Sequence, residues 1–358
     1  MLQRPDPLQL RELDAFDLDA YCTRIGYQGA RSATLATLRE VQWRHISSIP
    51  FENLASLAGQ PVPLGLAALQ AKLVHGRRGG YCFEHNILFA AALQRLGFTV
   101  TGLAARVLWT APPDWTGPRT HMLLRVDLPE GIHIADTGFG GTSPPGPLEL
   151  AGDHPQATPI EPFRLVPQDD GWRLEVQLRG EWQPVYRFDL QPQQHVDYQV
   201  ANWYVSTHPA SRFVQALLVS RPADRRRQTL FNDELRWHDP GPEGTTGRRR
   251  LTSVRELRQA LADIFGIEVP AVAGVDATLE RILTPGAAAP VAEGPAAAAP
   301  GAPKPAARPG PPRTVPTRAV GSRARPWAPG MQKSQSQTFE KRVGTAFMPD
   351  RRARAVPW

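Results

Sequence analysis

The chain has 358 residues, a formal net charge of +7 and two cysteines, Cys22 and Cys82. Two cysteines build no disulfide framework and suit a reducing compartment, so a cytoplasmic location is expected. The N-terminal residues lack the apolar core of a signal peptide, and no apolar run approaches the ~20 residues that span a bilayer, so no membrane partner is expected. At 41% hydrophobic residues the chain can build a sizeable core in two or three domains. Its positive charge sits at one end. Residues 286–358 carry twelve Lys or Arg against three acids, which leaves residues 1–285 at −2. A basic balance raises nucleic-acid binding as a possibility, but here it concerns the tail alone. The tail's aromatic residues, Trp327, Phe339, Phe347 and Trp358, are too few to make a good base-stacking platform.

Residues 1–97 read as a helical bundle. The stretch 17–25 has acids in its first turn and Arg24 in its last, which matches the helix dipole, and Gly26 ends it. Leu35, Leu38, Val41 and Ile46 recur at broadly helical spacing, and residues 64–74 form a third helical stretch. Next comes Arg78-Gly79-Gly80-Tyr81-Cys82-Phe83-Glu84-His85-Asn86, followed by the apolar run from Ile87 to Leu93 and by Gly97. This predicts a buried helix with Cys82 in its first turn. A thiol there meets unpaired backbone N–H groups and the positive end of the helix dipole, the setting of a reactive cysteine. Gly79 and Gly80 leave room for another molecule to approach.

From residue 98 the period changes. Residues 98–101, 105–109, 122–126 and 131–136 read as strands, as do 163–166, 172–178 and 184–188, with turns at Asp169-Asp170-Gly171 and Arg179-Gly180-Glu181. Strands at this spacing predict a small antiparallel β-barrel over 98–200. Residues 195–213 read as a helical crossover, 216–219 and 228–231 as strands, and 253–265 as a helix opened by a Ser253/Glu256 capping box. Residues 201–285 therefore form an α/β region. Of the 28 residues 286–313, 23 are Ala, Pro or Gly, a composition too poor in apolar surface to offset chain entropy, so 286–358 is expected to be a disordered tail.

His121 falls at the start of one strand and Asp136 near the end of the next. A cysteine nucleophile needs a base, and the base needs an orienting carboxylate. A Cys, a His and an Asp in this order are weak evidence by themselves. His85, three residues past Cys82, competes for the role of base, whereas His133 reads as structural, Cys22 as a core thiol and His45 as a surface or satisfied side chain. There is no Cys/His cluster with zinc spacing and no phosphate-loop lysine motif, so no metal is expected.

The segment Arg78-Gly79-Gly80-Tyr81-Cys82-Phe83-Glu84 resembles the active-site motif of the arylamine N-acetyltransferases. Ile49-Pro50-Phe51-Glu52-Asn53-Leu54, Thr120-His121-Met122, Asp136-Thr137-Gly138-Phe139-Gly140 and Ser206-Thr207-His208-Pro209 resemble the same family, in order, and the resemblance runs from about residue 14 to about residue 283. Thr137 departs from it, standing where the family commonly has an aliphatic residue. The resemblance implies an α+β fold: a helical bundle, a β-barrel and an α/β lid around a papain-like Cys-His-Asp arrangement. It implies Cys82 as acyl carrier, His121 as base and Asp136 as orienting group. Acetyl-CoA would be the co-substrate, and an arylamine or arylhydrazine the acceptor, in a ping-pong scheme. It points to Trp109, Thr120, Gly140, Ser206 and Thr207 as cofactor contacts, and to Phe51, Phe139 and Phe213 as aromatic walls of an amine pocket. Two rivals stand beside this reading. One is an amide synthase that takes its acyl chain from a carrier protein. The other is a non-enzymatic binding module with a basic tail. The sequence does not give the oligomeric state.

Overall fold

The structure, a computed structural model, describes residues 6–112, 115–240, 244–269 and 274–284. The predicted tail, 286–358, lies outside the described residues.

Helix α1 spans Leu18–Ile25 and is capped as its sequence implies: the Asp17 carboxylate accepts from the Ala20 amide at 2.9 Å, and Gly26 closes the helix in the left-handed region at φ 67°. Helix α2 is Leu35–Ser48, and the two-residue strand β1, Phe51–Glu52, follows it. A short α3, Leu54–Leu57, precedes α4, Leu66–Leu69, which widens into a π-helical turn at Gln70–His75. That turn carries Lys72 toward the next helix. Helix α5, Cys82–Arg95, is buried on every side from Cys82 to Leu93. A helix that is apolar all round belongs at the centre of a core. Leu38, Val41, Leu69 and Leu73 close on it from the bundle, and Met122, Leu124 and Val126 from the sheet.

The expected barrel is a seven-stranded antiparallel sheet, nearly closed. Its strands are β2 Thr99–Val107, β3 Arg119–Leu128, β4 Gly131–Ala135, β5 Leu148–Glu149, β6 Phe163–Gln168, β7 Gly171–Leu178 and β8 Glu181–Phe188, in the order β5-β4-β3-β2-β8-β7-β6. The two short strands expected at 98–101 and 105–109 are one strand, β2, with a register shift at Ala105/Arg106. Gln156 spans the gap between the edge strands. Its backbone pairs with Phe163 on β6, and its side-chain amide donates to the Glu149 carbonyl and accepts from the Glu149 amide on β5, both at 2.8 Å. Leu103, Leu123, Ile134, Phe163, Leu174 and Tyr186 fill the interior.

Helix α6, His195–Thr207, crosses back and sets Tyr198 and Val205 into the α5 core. After α7, Arg212–Gln215, come β9 Leu218–Ala223, β10 Arg226–Phe231, β11 Glu234–His238 and β12 Thr246–Arg250, then α8 Val254–Asp263 and α9 Val275–Leu283. Strands β9 to β12 form a second antiparallel sheet in sequence order, with β1 paired to the free edge of β9 through Phe51–Ser220 and Glu52–Val219. The Ser253 hydroxyl accepts from the Glu256 amide, but Glu256 reaches back to the Thr252 amide instead of Ser253, so the expected capping box is shifted by one residue. No helix among the described residues is long and apolar enough to cross a membrane.

Candidate active site

Cys82 is the first residue of α5, 4% exposed. The loop that delivers it is held from three sides. The Glu84 carboxylate accepts from the Tyr81 amide at 3.1 Å and pairs with Lys72 at 2.7 Å. Burial pushes the Glu84 carboxyl up, and Lys72 opposes that shift. Glu52 receives the Arg78 guanidinium at 2.6 Å, and the Glu52 amide donates to the Gly80 carbonyl at 2.7 Å. The space beside Gly79, expected to admit another molecule, is filled by this chain: a Cβ there would sit 1.9 Å from the Pro50 carbonyl oxygen.

Strand β3 brings His121 to Cys82, and the turn after β4 brings Asp136 to His121. His121 Nε2 lies 2.8 Å from Asp136 Oδ2, and both side chains are buried. The Cys82 thiol lies close enough to the same imidazole to favour its charged form. Since Nε2 is engaged by Asp136, the nitrogen left for sulfur is Nδ1, the arrangement expected of a papain-like site. Burial pushes His121 down, but the Asp136 charge, its hydrogen bond and the thiol outweigh burial and raise His121 to about 10. Burial pushes Asp136 up, and His121, Asn86 and the Gly138 amide together hold it below the usual carboxylate range. Cys82 Sγ also lies 3.6 Å from the Thr120 carbonyl oxygen.

Sequence reasoning named Asn86 only as the end of the cysteine motif. One turn after Cys82 on the same face of α5, it locks the Asp136 turn in place. Its Nδ2 donates to Asp136 Oδ1 at 3.0 Å and to the Met122 carbonyl at 2.7 Å, and its Oδ1 accepts from the Thr137 amide at 3.0 Å. The i,i+4 spacing from the cysteine was the available signal. Gly138 completes the fit, since a Cβ there would come within 2.6 Å of Cys82 Cα. Tyr186 is a second residue missed from the sequence. Its ring packs against His121 with centroids 4.9 Å apart, and its buried hydroxyl lies toward Asp136 short of regular hydrogen-bond geometry.

His85 does not compete as base. Its Nε2 donates to the Pro50 carbonyl at 3.1 Å, so its Nδ1 must accept from His45 Nε2 at 2.8 Å, and His45 Nδ1 in turn accepts from the Tyr21 hydroxyl at 2.8 Å. This buried chain has a single consistent direction and keeps both imidazoles neutral. Burial lowers both, His85 to about 4. His133, read as structural, turns Nδ1 to the Gly131 carbonyl at 3.2 Å.

Among the predicted pocket residues, Phe51 stacks on His85 and meets Phe213 edge-on, Phe213 tilts against Tyr81, and Phe139 stands edge-on to His121 with centroids 5.1 Å apart. Gly140, at φ 89°, faces the Phe51 ring. Thr120 and His121 also border an open cavity of about 310 Å³ against α6. Trp109 packs on the barrel core beside the Val185 carbonyl. Ser206 and Thr207 direct their hydroxyls to the carbonyls of Asn202 and Trp203 on their own helix, at 2.8 and 2.5 Å, and so are not brought to the thiol.

Fold and site thus define a mixed helix-and-sheet protein that presents a buried thiol at a helix start, near an imidazole hydrogen-bonded to a carboxylate. Residues 34–273 match the family model described as N-acetyltransferase. The arylamine N-acetyltransferase of Mycolicibacterium smegmatis is 42% identical over 266 residues, covering 73% of this chain and 96% of that protein. That of Escherichia coli is 39% identical over 253 residues, covering 70% and 89%. The solved structure of Mycobacterium marinum arylamine N-acetyltransferase in complex with CoA superposes with a TM-score of 0.72 at 40% identity, covering 75% of this chain and all of that one. The chain belongs to the arylamine N-acetyltransferase family.

Proposed function

We propose that this protein transfers the acetyl group of acetyl-CoA to the nitrogen of an arylamine or arylhydrazine in two half-reactions through Cys82. In the first, the sulfur of Cys82 attacks the acetyl carbonyl carbon. The bond from that carbon to the CoA sulfur breaks, and the departing CoA thiolate takes the proton held on His121 Nδ1. In the second, the amine nitrogen attacks the acetyl-Cys82 carbonyl and loses a proton to His121. The carbon–sulfur bond then breaks and returns Cys82 to its starting form. Asp136 keeps Nε2 protonated throughout, so that Nδ1 is the nitrogen that exchanges protons with sulfur and substrate.

The observation that carries this reading is the ring orientation of His121: Nε2 on Asp136 at 2.8 Å, with Nδ1 left for the thiol at the start of α5. The raised His121 sets a positive charge near the sulfur of Cys82. The CoA complex of the M. marinum relative supports acetyl-CoA as donor. In this reading 1–97 carries the nucleophile, 98–200 the base and carboxylate, and 201–285 acts as the lid. Phe51, Phe139 and Phe213 wall the flat acceptor. Trp109, Thr120 and Gly140 face the cofactor, while Ser206 and Thr207 reach it only if their helix bonds are exchanged. Two free cysteines accord with a reducing, cytoplasmic location.

The test is intact-protein mass after mixing with acetyl-CoA. One acetyl group should appear on Cys82 and vanish on adding an arylamine, and Cys82→Ser should gain none. A variant that is acetylated as readily as the parent defeats the assignment. Acylation from a carrier-bound chain but not from acetyl-CoA would indicate an amide synthase instead.

A further inference from the structure

The buried Arg227 on β10 takes no part in the chemistry above, yet it grips the turn that follows Asp136. Its Nε donates to both Glu161 oxygens at 3.0 and 2.8 Å, and its Nη2 pairs with Glu161 at 2.7 Å. Its Nη1 donates to the Gly141 carbonyl at 2.8 Å, and both terminal nitrogens reach the Ser143 carbonyl, at 3.3 and 3.2 Å. The guanidinium is 7% exposed and Glu161 4%. The ion pair therefore neutralises a charge whose remaining donors serve the turn 141–143 alone.

That grip has a geometric consequence. No described peptide is cis. In a trans peptide the C=O and N–H point opposite ways, so holding the Gly141 carbonyl toward β10 turns the Thr142 N–H away from β10. Among the described residues neither the Gly141 nor the Thr142 amide has an acceptor, whereas the Gly140 amide is satisfied by the Ser143 hydroxyl at 2.9 Å. Successive free amides in a glycine-rich turn form a concave donor set for a phosphate. The chain leading into this turn sets the Phe139 ring edge-on to His121, so the turn borders the site.

We infer that Arg227 is a positioning residue for the cofactor: it fixes the 141–143 turn so that the Gly141 and Thr142 amides receive the pyrophosphate of acetyl-CoA. The inference rests on acetyl-CoA being the acyl donor. Arg227 touches neither the acetyl group nor the acceptor amine, so its loss weakens the use of a donor that carries phosphates and spares one that does not.

The experiment compares two donors on the full chain with one arylamine acceptor: acetyl-CoA, and p-nitrophenyl acetate, which delivers the same acetyl group and releases p-nitrophenolate. Arg227→Lys keeps a cation for Glu161, but a single ammonium cannot reproduce the planar fork to two carbonyls. The KM for acetyl-CoA should rise about tenfold or more, the scale of one misplaced buried donor, while kcat/KM with the ester stays within about twofold. The double variant Arg227→Met/Glu161→Met leaves no unpaired buried charge and should behave alike if the lysine variant folds poorly. An unchanged KM for acetyl-CoA in a folded variant overturns the inference, as does an equal fall with both donors. A parent protein that uses the ester but not acetyl-CoA removes the cofactor reading itself, and the inference with it.

Discussion

Asp136→Asn changes almost no volume, yet it should remove nearly all activity. Oδ1 of residue 136 accepts from the Gly138 amide at 2.8 Å and from Asn86 Nδ2 at 3.0 Å. An asparagine satisfies both only with its carbonyl oxygen in that place, which puts its NH2 group on His121 Nε2. That nitrogen must then accept, so the ring proton moves to Nδ1 and faces sulfur, and the base is lost. The reverse orientation sets an NH2 group against two buried donors, at about 1–3 kcal/mol for each bond left unmade. Removing the charge also removes the largest influence that opposes burial at His121, so the ring falls from about 10. The expected loss in kcat is ~10⁴, the scale of the same change in a serine triad, or about 5.4 kcal/mol of barrier. The assay is rapid-quench mass spectrometry of acetyl-Cys82 from about pH 6 to about pH 9, with the melting temperature as a control for folding. A variant that melts like the parent and acylates within tenfold of its rate at pH 7 refutes the reasoning.

Gly138→Ala should cost more than ~3 kcal/mol or prevent soluble expression, because the added Cβ meets the Cys82 backbone at 2.6 Å; a denaturation midpoint unchanged from the parent would contradict that. His85→Gln should acylate within about tenfold of the parent, since glutamine also reaches the Pro50 carbonyl and His85 is not the base; loss on the scale of Asp136→Asn would restore His85 as a catalytic candidate. The parent's stability should fall as pH drops from ~6.5 toward about 4, because His85 and His45 are lowered in the folded state and the unfolded chain binds more protons there; urea midpoints across that window should slope less in His85→Gln. Cutting the chain after residue 285 should leave both half-reactions unchanged at low and high salt, as all the site residues precede Thr284; a salt-independent loss would show that the catalytic body extends past that point.

Much of the molecule was legible where the deciding interaction is local. Asp17 and Gly26 bracket α1 because a cap needs only its own next turn. The position of Cys82 at a helix start follows from Gly-Gly before it and apolar residues after it, and the motif around it carried the order Cys82, His121, Asp136 without any coordinates. Strand β12 was missed because Thr246–Arg250 is a largely exposed edge strand in which three arginines replace the alternation that marks a half-buried strand, and β11, Glu234–His238, was missed although Leu235 and Trp237 alternate with polar residues. Gly79 was read as room for a ligand when the Pro50 carbonyl occupies it, since a glycine states that something comes close and not what does. Tertiary structure alone decided which nitrogen of His121 faces Asp136, that Asn86 ties α5 to the Asp136 turn, and that Arg227 reaches the Gly141 carbonyl from 86 residues away. These contacts join groups far apart in the chain, and they form only when the cores around α5, inside the barrel and beneath the second sheet fix the spacing between elements. The sequence therefore names the reacting groups, and packing sets their orientation.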